Sequence, residues 1–129
     1  MRRGELQGPW CTGVDGHTVY KSDVGSYHTN NGSSKCTVAV KGYRFVTVYI
    51  RSYAESNYDF TELGPLDGTV SRAAASNVLS TKGKQSNTTY YSHKFTISDD
   101  AFHTFEVLYS KDSSGDNNDD RGYFYVVCQ

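Results

Sequence analysis

The sequence predicts an all-β fold: a two-sheet antiparallel β-sandwich of jelly-roll type, with at most one short helix. Three observations predict it. Short apolar runs alternate with period two along much of the chain, which places one side of each run in a core and the other outside. Gly, Ser, Thr, Asn and Asp fill the gaps between runs, as turn chemistry requires. Tyrosine, which favours strands, occurs 11 times in a chain that is only 36% apolar.

The 129 residues suffice for one domain around one core. Residues 1–36 read as an N-terminal segment with the first strand or strands, packed on the sandwich or extending from it. Residues 37–129 read as its core. A first strand is expected from His17 to Lys21 and another from Thr37 to Val40. The cleanest lies in Arg44 to Tyr53, where Val46, Val48 and Ile50 oppose Phe45, Thr47, Tyr49, Arg51 and Tyr53. Tyr58 to Leu63 follows, ended by Gly64-Pro65-Leu66-Asp67-Gly68, where proline fixes one φ and glycine accepts a positive one. Val70 to Ser80 is the one stretch that could turn helical, as a short helix packed on a sandwich edge, or else run as an exposed excursion, and the polar run from Thr81 reads as loop. Further strands are expected in Tyr90 to Ile97, in Phe102 to Tyr109 after the turn at Ser98 to Ala101, and in Tyr123 to Cys128. About seven strands at this spacing make a sandwich, and no internal repeat suggests a propeller or solenoid.

Charge excludes some partners. Lys and Arg number 13 against 14 for Asp and Glu, so a net charge of -1 gives no broad field for nucleic acid or anionic membrane. No run approaches the ~20 apolar residues of a membrane span, so the chain reads as soluble without membrane insertion. The start holds Arg2 and Arg3 but no apolar segment behind them, and does not read as an intact secretory signal. Three cysteines are too few for a disulfide framework; a single bridge from Cys11 to Cys128 is the expectation if the chain ends meet.

Two segments share one grammar, a strand running into a loop of carboxylates, tyrosine and a basic residue. One is Tyr49-Ile-Arg-Ser-Tyr-Ala-Glu-Ser-Asn-Tyr-Asp59; the other is Tyr109-Ser-Lys-Asp-Ser-Ser-Gly115 with Asp119-Asp-Arg-Gly-Tyr123. Function is expected where the two loops converge. Arg51-Ser-Tyr-Ala-Glu-Ser-Asn-Tyr-Asp59, the Leu66-Asp67-Gly68 turn, and Phe102-His-Thr-Phe with Tyr109-Ser-Lys-Asp112 and Arg121-Gly-Tyr123 resemble galactose-binding-like β-sandwich modules of bacterial surface proteins, secreted multidomain enzymes, and open reading frames of gut Bacteroidales and their phages. The resemblance covers about residues 37 to 127. It implies a noncatalytic jelly roll used for attachment to carbohydrate or to other proteins, and names no ligand.

Asp112, Asp116, Asp119 and Asp120, with Glu55 and Asp59 if the loops meet, form an oxygen-rich set suited to a structural Ca²⁺. Two other readings stand beside it. The same residues can tie the loops through Lys111 and Arg121, with Arg clamping a carboxylate through paired donors, or can lie in solvent. For carbohydrate, a sugar's C–H face stacks on an aromatic plane while its hydroxyls bond polar groups. Tyr27, Tyr53, Tyr58, Tyr90, Tyr91, Arg51 and Arg121 are the candidates. The same tyrosines suit a protein interface.

The four histidines and three cysteines match no zinc spacing, and His103 reads as a core or edge histidine. Neither Gly-x-Ser-x-Gly nor a phosphate loop occurs, and Glu106, the one partner for Glu55 in a glycosidase pair, reads as an outward strand residue. The chain is expected not to be an enzyme and to require no cofactor. The preferred reading is a noncatalytic attachment or assembly protein of a phage virion, a capsid, head-fibre or tail decoration, contacting other virion proteins or copies of itself. The alternative is a carbohydrate-binding or adhesive module at a bacterial cell surface or in a secreted protein.

Overall fold

The computed structural model describes residues 5–7, 20–21, 32–54, 56–112 and 121–129. Nine strands are present: β1 Glu5–Gln7, β2 Tyr20–Lys21, β3 Ser33–Val40, β4 Phe45–Tyr53, β5 Phe60–Leu63, β6 Leu79–Ser80, β7 Tyr91–Thr96, β8 His103–Ser110 and β9 Arg121–Cys128. They form a five-stranded sheet, β1-β3-β8-β5-β6, and a four-stranded sheet, β2-β9-β4-β7. Every pairing is antiparallel. The chain passes from one sheet to the other at each connection except β5 to β6, the wrapping of a jelly roll.

Alternation decides which residues enter the core. Val46, Val48 and Ile50 of β4 are fully buried against Val38 and Val40 of β3, Phe105, Val107 and Tyr109 of β8, and Phe124 and Val126 of β9. Each such side chain contributes about 1.5–3 kcal/mol over exposure. The opposite residues of β4, from Phe45 to Tyr53, are only half buried.

Two expectations change, and one open choice is decided. Residues 70–80 form an excursion, not a helix: Ala74 N–H bonds Ser71 O at 3.2 Å and Asn77 N–H bonds Ala74 O at 3.2 Å, in separate turns. Ala73 sits at φ 58°, a left-handed conformation costing about 1–2 kcal/mol. The Glu62 carboxylate offsets it by accepting Ala73 N–H at 2.8 Å and Asn77 Nδ2–H at 2.8 Å. The Gly64–Gly68 turn forms, with Gly68 N–H on Pro65 O at 3.1 Å, but its positive φ falls on Asp67 at 60°. Gly68 is needed for space, because a Cβ there would lie 2.6 Å from Pro65 Cγ. Cys36 is disulfide-bonded and Cys128 is a free thiol, so the Cys11–Cys128 bridge is not formed. Burial pushes the Cys128 thiol up to about 11, which leaves it protonated and unreactive.

The two ends of the sandwich differ. One end is closed by short turns. There His103 meets Asp67 through Nδ1 and Asp99 through Nε2, each at 2.6 Å, while Asp67 also accepts Thr104 N–H at 3.0 Å. Hydrogen bonding to Asp67, then to Asp99, raises the His103 pKa and favours the charged form of the ring. Partial burial works against the Asp67 carboxylate, but the bonds from His103 and Thr104 outweigh it and hold its pKa low. The His-Thr and Leu-Asp-Gly signatures are therefore two halves of one clamp. The other end carries the connections β4–β5, β6–β7 and β8–β9, and there the candidate site lies.

Candidate functional site

Strand register builds one outer face of the four-stranded sheet. Tyr49 of β4 lies beside Tyr125 of β9, Arg51 beside Tyr123, and Tyr53 beside Arg121. The Tyr49 and Tyr125 rings stack with centroids 4.5 Å apart and 8° between planes. Tyr90, just before β7, meets Tyr125 edge-on at 4.9 Å. The Arg51 guanidinium lies 4.0 Å from the Tyr123 ring centroid and 5.2 Å from that of Tyr90. Such contacts fix large side chains in advance of binding. Burial, followed by the neighbouring Tyr49 and Tyr90 phenols, raises the Tyr125 pKa, so its hydroxyl stays a donor and acceptor at neutral pH.

The framework beneath is polar and hydrogen-bonded from sheet to sheet. Ser52, the inward neighbour of Arg51, bonds Thr61 of β5 at 2.6 Å and Thr81 at 2.8 Å, joining the two sheets through buried hydroxyls. Gly122 permits this approach, because a Cβ there would stand 2.3 Å from Thr61 Oγ1 and 2.8 Å from Tyr109. The β6–β7 connection is tied across the end of β4. Gln85 accepts Ala54 N–H at 2.9 Å and donates to Asp59 O at 3.0 Å, Ser86 N–H bonds Ser52 O at 2.9 Å, and Arg51 Nη1 donates to Ser86 O at 3.1 Å.

The loops do converge, but the convergence is structural at its centre. Asp59 and Lys111 are fully buried with Oδ2 and Nζ 3.5 Å apart, and Asp59 Oδ1 accepts Asp112 N–H at 3.1 Å. The cation facing Asp59 is thus the lysine ammonium, and a divalent ion on the same oxygen would meet that charge at close range. Of the six carboxylates considered for calcium, Glu55, Asp116, Asp119 and Asp120 lie outside the described residues, as does Tyr27. Among the described residues no group of three or more potential ligands is placed to hold a metal ion.

Of the remaining candidates, Arg51, Tyr53, Tyr90 and Arg121 belong to the sheet face or its upper border. Tyr58 is 55% exposed on the β4–β5 connection, with its carbonyl accepting Arg72 Nη2–H at 2.6 Å. Tyr91 is in register with buried Ile50, off the outer face, with Lys84 5.1 Å from its ring centroid. Tyr49, Tyr123 and Tyr125 were not among the expected ligand contacts. Their signal was present in the Tyr-x-Tyr spacing of β9, but only the β4–β9 register shows which tyrosines share a face.

Among the described residues the five-stranded sheet offers no comparable surface. Residues 70–77 cross its outer side, with Glu106 accepting Val70 N–H at 2.7 Å and Arg72 donating to Ser110 Oγ at 2.7 Å while lying 4.4 Å from the Phe60 ring centroid. A shallow cleft of about 510 Å³ beside this strap is lined by Glu62, Asn77, Leu79, Lys82 and Lys84, among others.

No family model matches the chain, and no curated protein matches it. Among solved structures, it is similar to the carbohydrate-binding module TmCBM61, in complex with β-1,4-galactotriose, at 9% identity and a TM-score of 0.38, over 98% of this chain and 88% of that one. It is also similar to the enzymatically active domain of tailspike protein 4 of bacteriophage CBA120, at 16% identity and a TM-score of 0.40, over 98% of this chain but 19% of that one.

Proposed function

We propose that the protein is a noncatalytic attachment module that recognises glycan through the outer face of its four-stranded sheet. One observation carries the reading. Tyr49, Tyr125 and Tyr90 form a pre-packed, polar-edged aromatic array on a half-buried face, with Arg51, which also ties Ser86 O, beside it over the buried Tyr123 ring. Aromatic surface takes the C–H face of a sugar, and phenol and guanidinium groups meet its hydroxyls. Fixing them beforehand lowers the entropy cost of binding a flexible ligand. Asp59, Glu62 and Glu106 are each engaged by backbone amides or lysine of the framework.

The test is a glycan screen followed by titration of Tyr49→Ala and Tyr125→Ala. Both variants are expected to keep the wild-type fold and to bind at least about fivefold more weakly, the scale of a lost aromatic contact. Unchanged binding by both would remove the face from recognition. A concentration-dependent oligomer that both substitutions dissolve would assign the face to assembly instead, the reading that a virion component requires.

A further inference from the structure

We propose that the protein pairs with a second copy of itself through the open edge of β7, joining the two four-stranded sheets into one. The sandwich ends in four edge strands, β1, β6, β2 and β7. Three of them run for only two or three residues, while β7 runs for six. An edge that short offers little to pair with, and a long one is normally blunted by proline, a bulge or a cover. β7, Tyr91-Ser-His-Lys-Phe-Thr96, has neither proline nor glycine and pairs with β4 residue by residue without a bulge. Residues 81–90 and 97–102, which lead into and out of it, are described throughout. The first segment is tied across the end of β4 and the second turns at the His103 clamp, and neither hydrogen-bonds to β7.

Register shows which groups the edge offers. Phe45 N–H donates to Gln129 O at 3.0 Å and Gln129 N–H to Phe45 O at 2.8 Å, so Phe45 and every second residue of β4 after it bond toward β9. The alternating Val46, Val48 and Ile50 bond toward β7, to Phe95, His93 and Tyr91. Ser92, Lys94 and Thr96 therefore turn their backbone N–H and C=O away from the sheet, with no partner among the described residues. The core side of the strand is unfinished as well. Tyr91 and His93 share the inward face with Val48 and Ile50 yet stay only half buried, whereas Phe95 is buried against Phe105, their centroids 5.7 Å apart. β6 of the other sheet meets β7 but is two residues long, too short to cover them. An added strand supplies both the missing hydrogen bonds and the missing inward cover.

A second copy fits that edge by symmetry. An antiparallel pair about a two-fold at His93 sets Ser92 against Lys94 of the second copy and Lys94 against its Ser92, the pairs that exchange hydrogen bonds. It also sets Tyr91 against Phe95 of the second copy on the inward face, an aromatic cross-strand pair. A two-fold at Lys94 would put like charges face to face, and one at Phe95 would run the pairing past Thr96 into Ser98 and Asp99, beyond the strand. The two-fold of an antiparallel pair stands perpendicular to the sheet, so the tyrosine faces of both copies point the same way. The dimer goes beyond the glycan reading and does not depend on it. Where both hold, one polysaccharide engages two faces at once, with the gain of a linked second contact.

The experiment is sedimentation equilibrium of the full chain over a concentration series, with variants that read the register. Wild type is expected to pass from monomer to dimer. Ser92→Glu, which sets a carboxylate opposite Lys94 at both ends of the pairing, is expected to tighten the dimer about fivefold, and Ser92→Lys to weaken it by a similar factor. Position 92 is exposed, so the melting temperature of the dilute monomer stays unchanged in both. His93→Cys is expected to form an intermolecular disulfide on oxidation, since a non-hydrogen-bonded antiparallel pair brings its Cα atoms to about 4.5 Å. Thr96→Cys, about 20 Å from its own copy across the axis, is expected not to. A monomer at every concentration up to about 1 mM would overturn the pairing and leave the glycan reading standing. A dimer indifferent to both Ser92 variants would overturn the edge as its interface, and if Tyr49→Ala dissolves that dimer, the tyrosine face is the interface and the glycan reading fails with it.

Discussion

The outer faces of the two sheets use the same kinds of side chain for opposite ends. On the five-stranded sheet, Glu62 and Glu106 take the N–H groups of Ala73 and Val70 and hold residues 70–77 across the strands. Arg72 completes that strap by reaching Ser110 Oγ and Tyr58 O. On the four-stranded sheet, Tyr49, Tyr90 and Tyr125 pack on one another and stay only half buried, with Arg51 beside them also reaching Ser86 O. A polar residue spent on the backbone of its own chain is architecture. One held ready by its neighbours, with capacity left over, is a site.

Substitutions should divide along that line. The largest effect is expected in the buried framework: Lys111→Ala leaves the Asp59 carboxylate buried opposite a lost ammonium, a change costing about 3–5 kcal/mol. Denaturant unfolding measures it, and Lys111→Ala within 1 kcal/mol of wild type, on the order of a surface pair, would mean that the charge is already solvated. Glu62→Ala comes next. It removes the acceptor of Ala73 N–H and one of the two acceptors of Asn77 Nδ2, whose bond to Ser71 O remains, at about 1–3 kcal/mol, with glycan affinity unaltered if the strap is architecture alone. Tyr49→Ala reverses the pattern, losing binding while costing at most about 1 kcal/mol of stability, as a half-buried ring on a strand surface should.

The smallest effect is a pH dependence at the closed end. His103 has a pKa raised above its ordinary 6.5, so its contribution is complete below that value and is lost as pH rises through the folded pKa. Asp67 and Asp99 have pKa values held below 3.8, so theirs is complete above that value and is lost as pH falls through the lower folded values. The clamp is strongest between 3.8 and 6.5. Wild type should show a small decline in melting temperature on the alkaline side that His103→Gln lacks, and identical profiles for the two proteins would remove the clamp.

Much of this architecture was legible in the sequence. The alternation of Val46, Val48 and Ile50 against Tyr49 and Arg51 gave β4 both its strand and its two faces, because a period of two translates directly into inside and outside. The strap was not legible. Arg72-Ala-Ala-Ala has helical propensity, and only the carboxylates of Glu62 and Glu106, distant in sequence, draw it into turns. β6 was missed because a two-residue strand carries no periodicity. The site was half visible: Arg51, Tyr53, Tyr90 and Arg121 stood out beside polar loops, but Tyr49 and Tyr125 meet only through a cross-strand register that spans 76 residues between their numbers.

The most direct test of the division between the faces is a backbone amide chemical-shift map recorded while the protein is titrated with the strongest hit of the glycan screen. Shifts concentrated on β4, β9, β7 and the β6–β7 connection, centred on Tyr49, Arg51, Tyr90 and Tyr125, are the result predicted. Shifts centred instead on the strap at Ala73 and Asn77 and the cleft beside it, with the tyrosine face silent, would contradict the account.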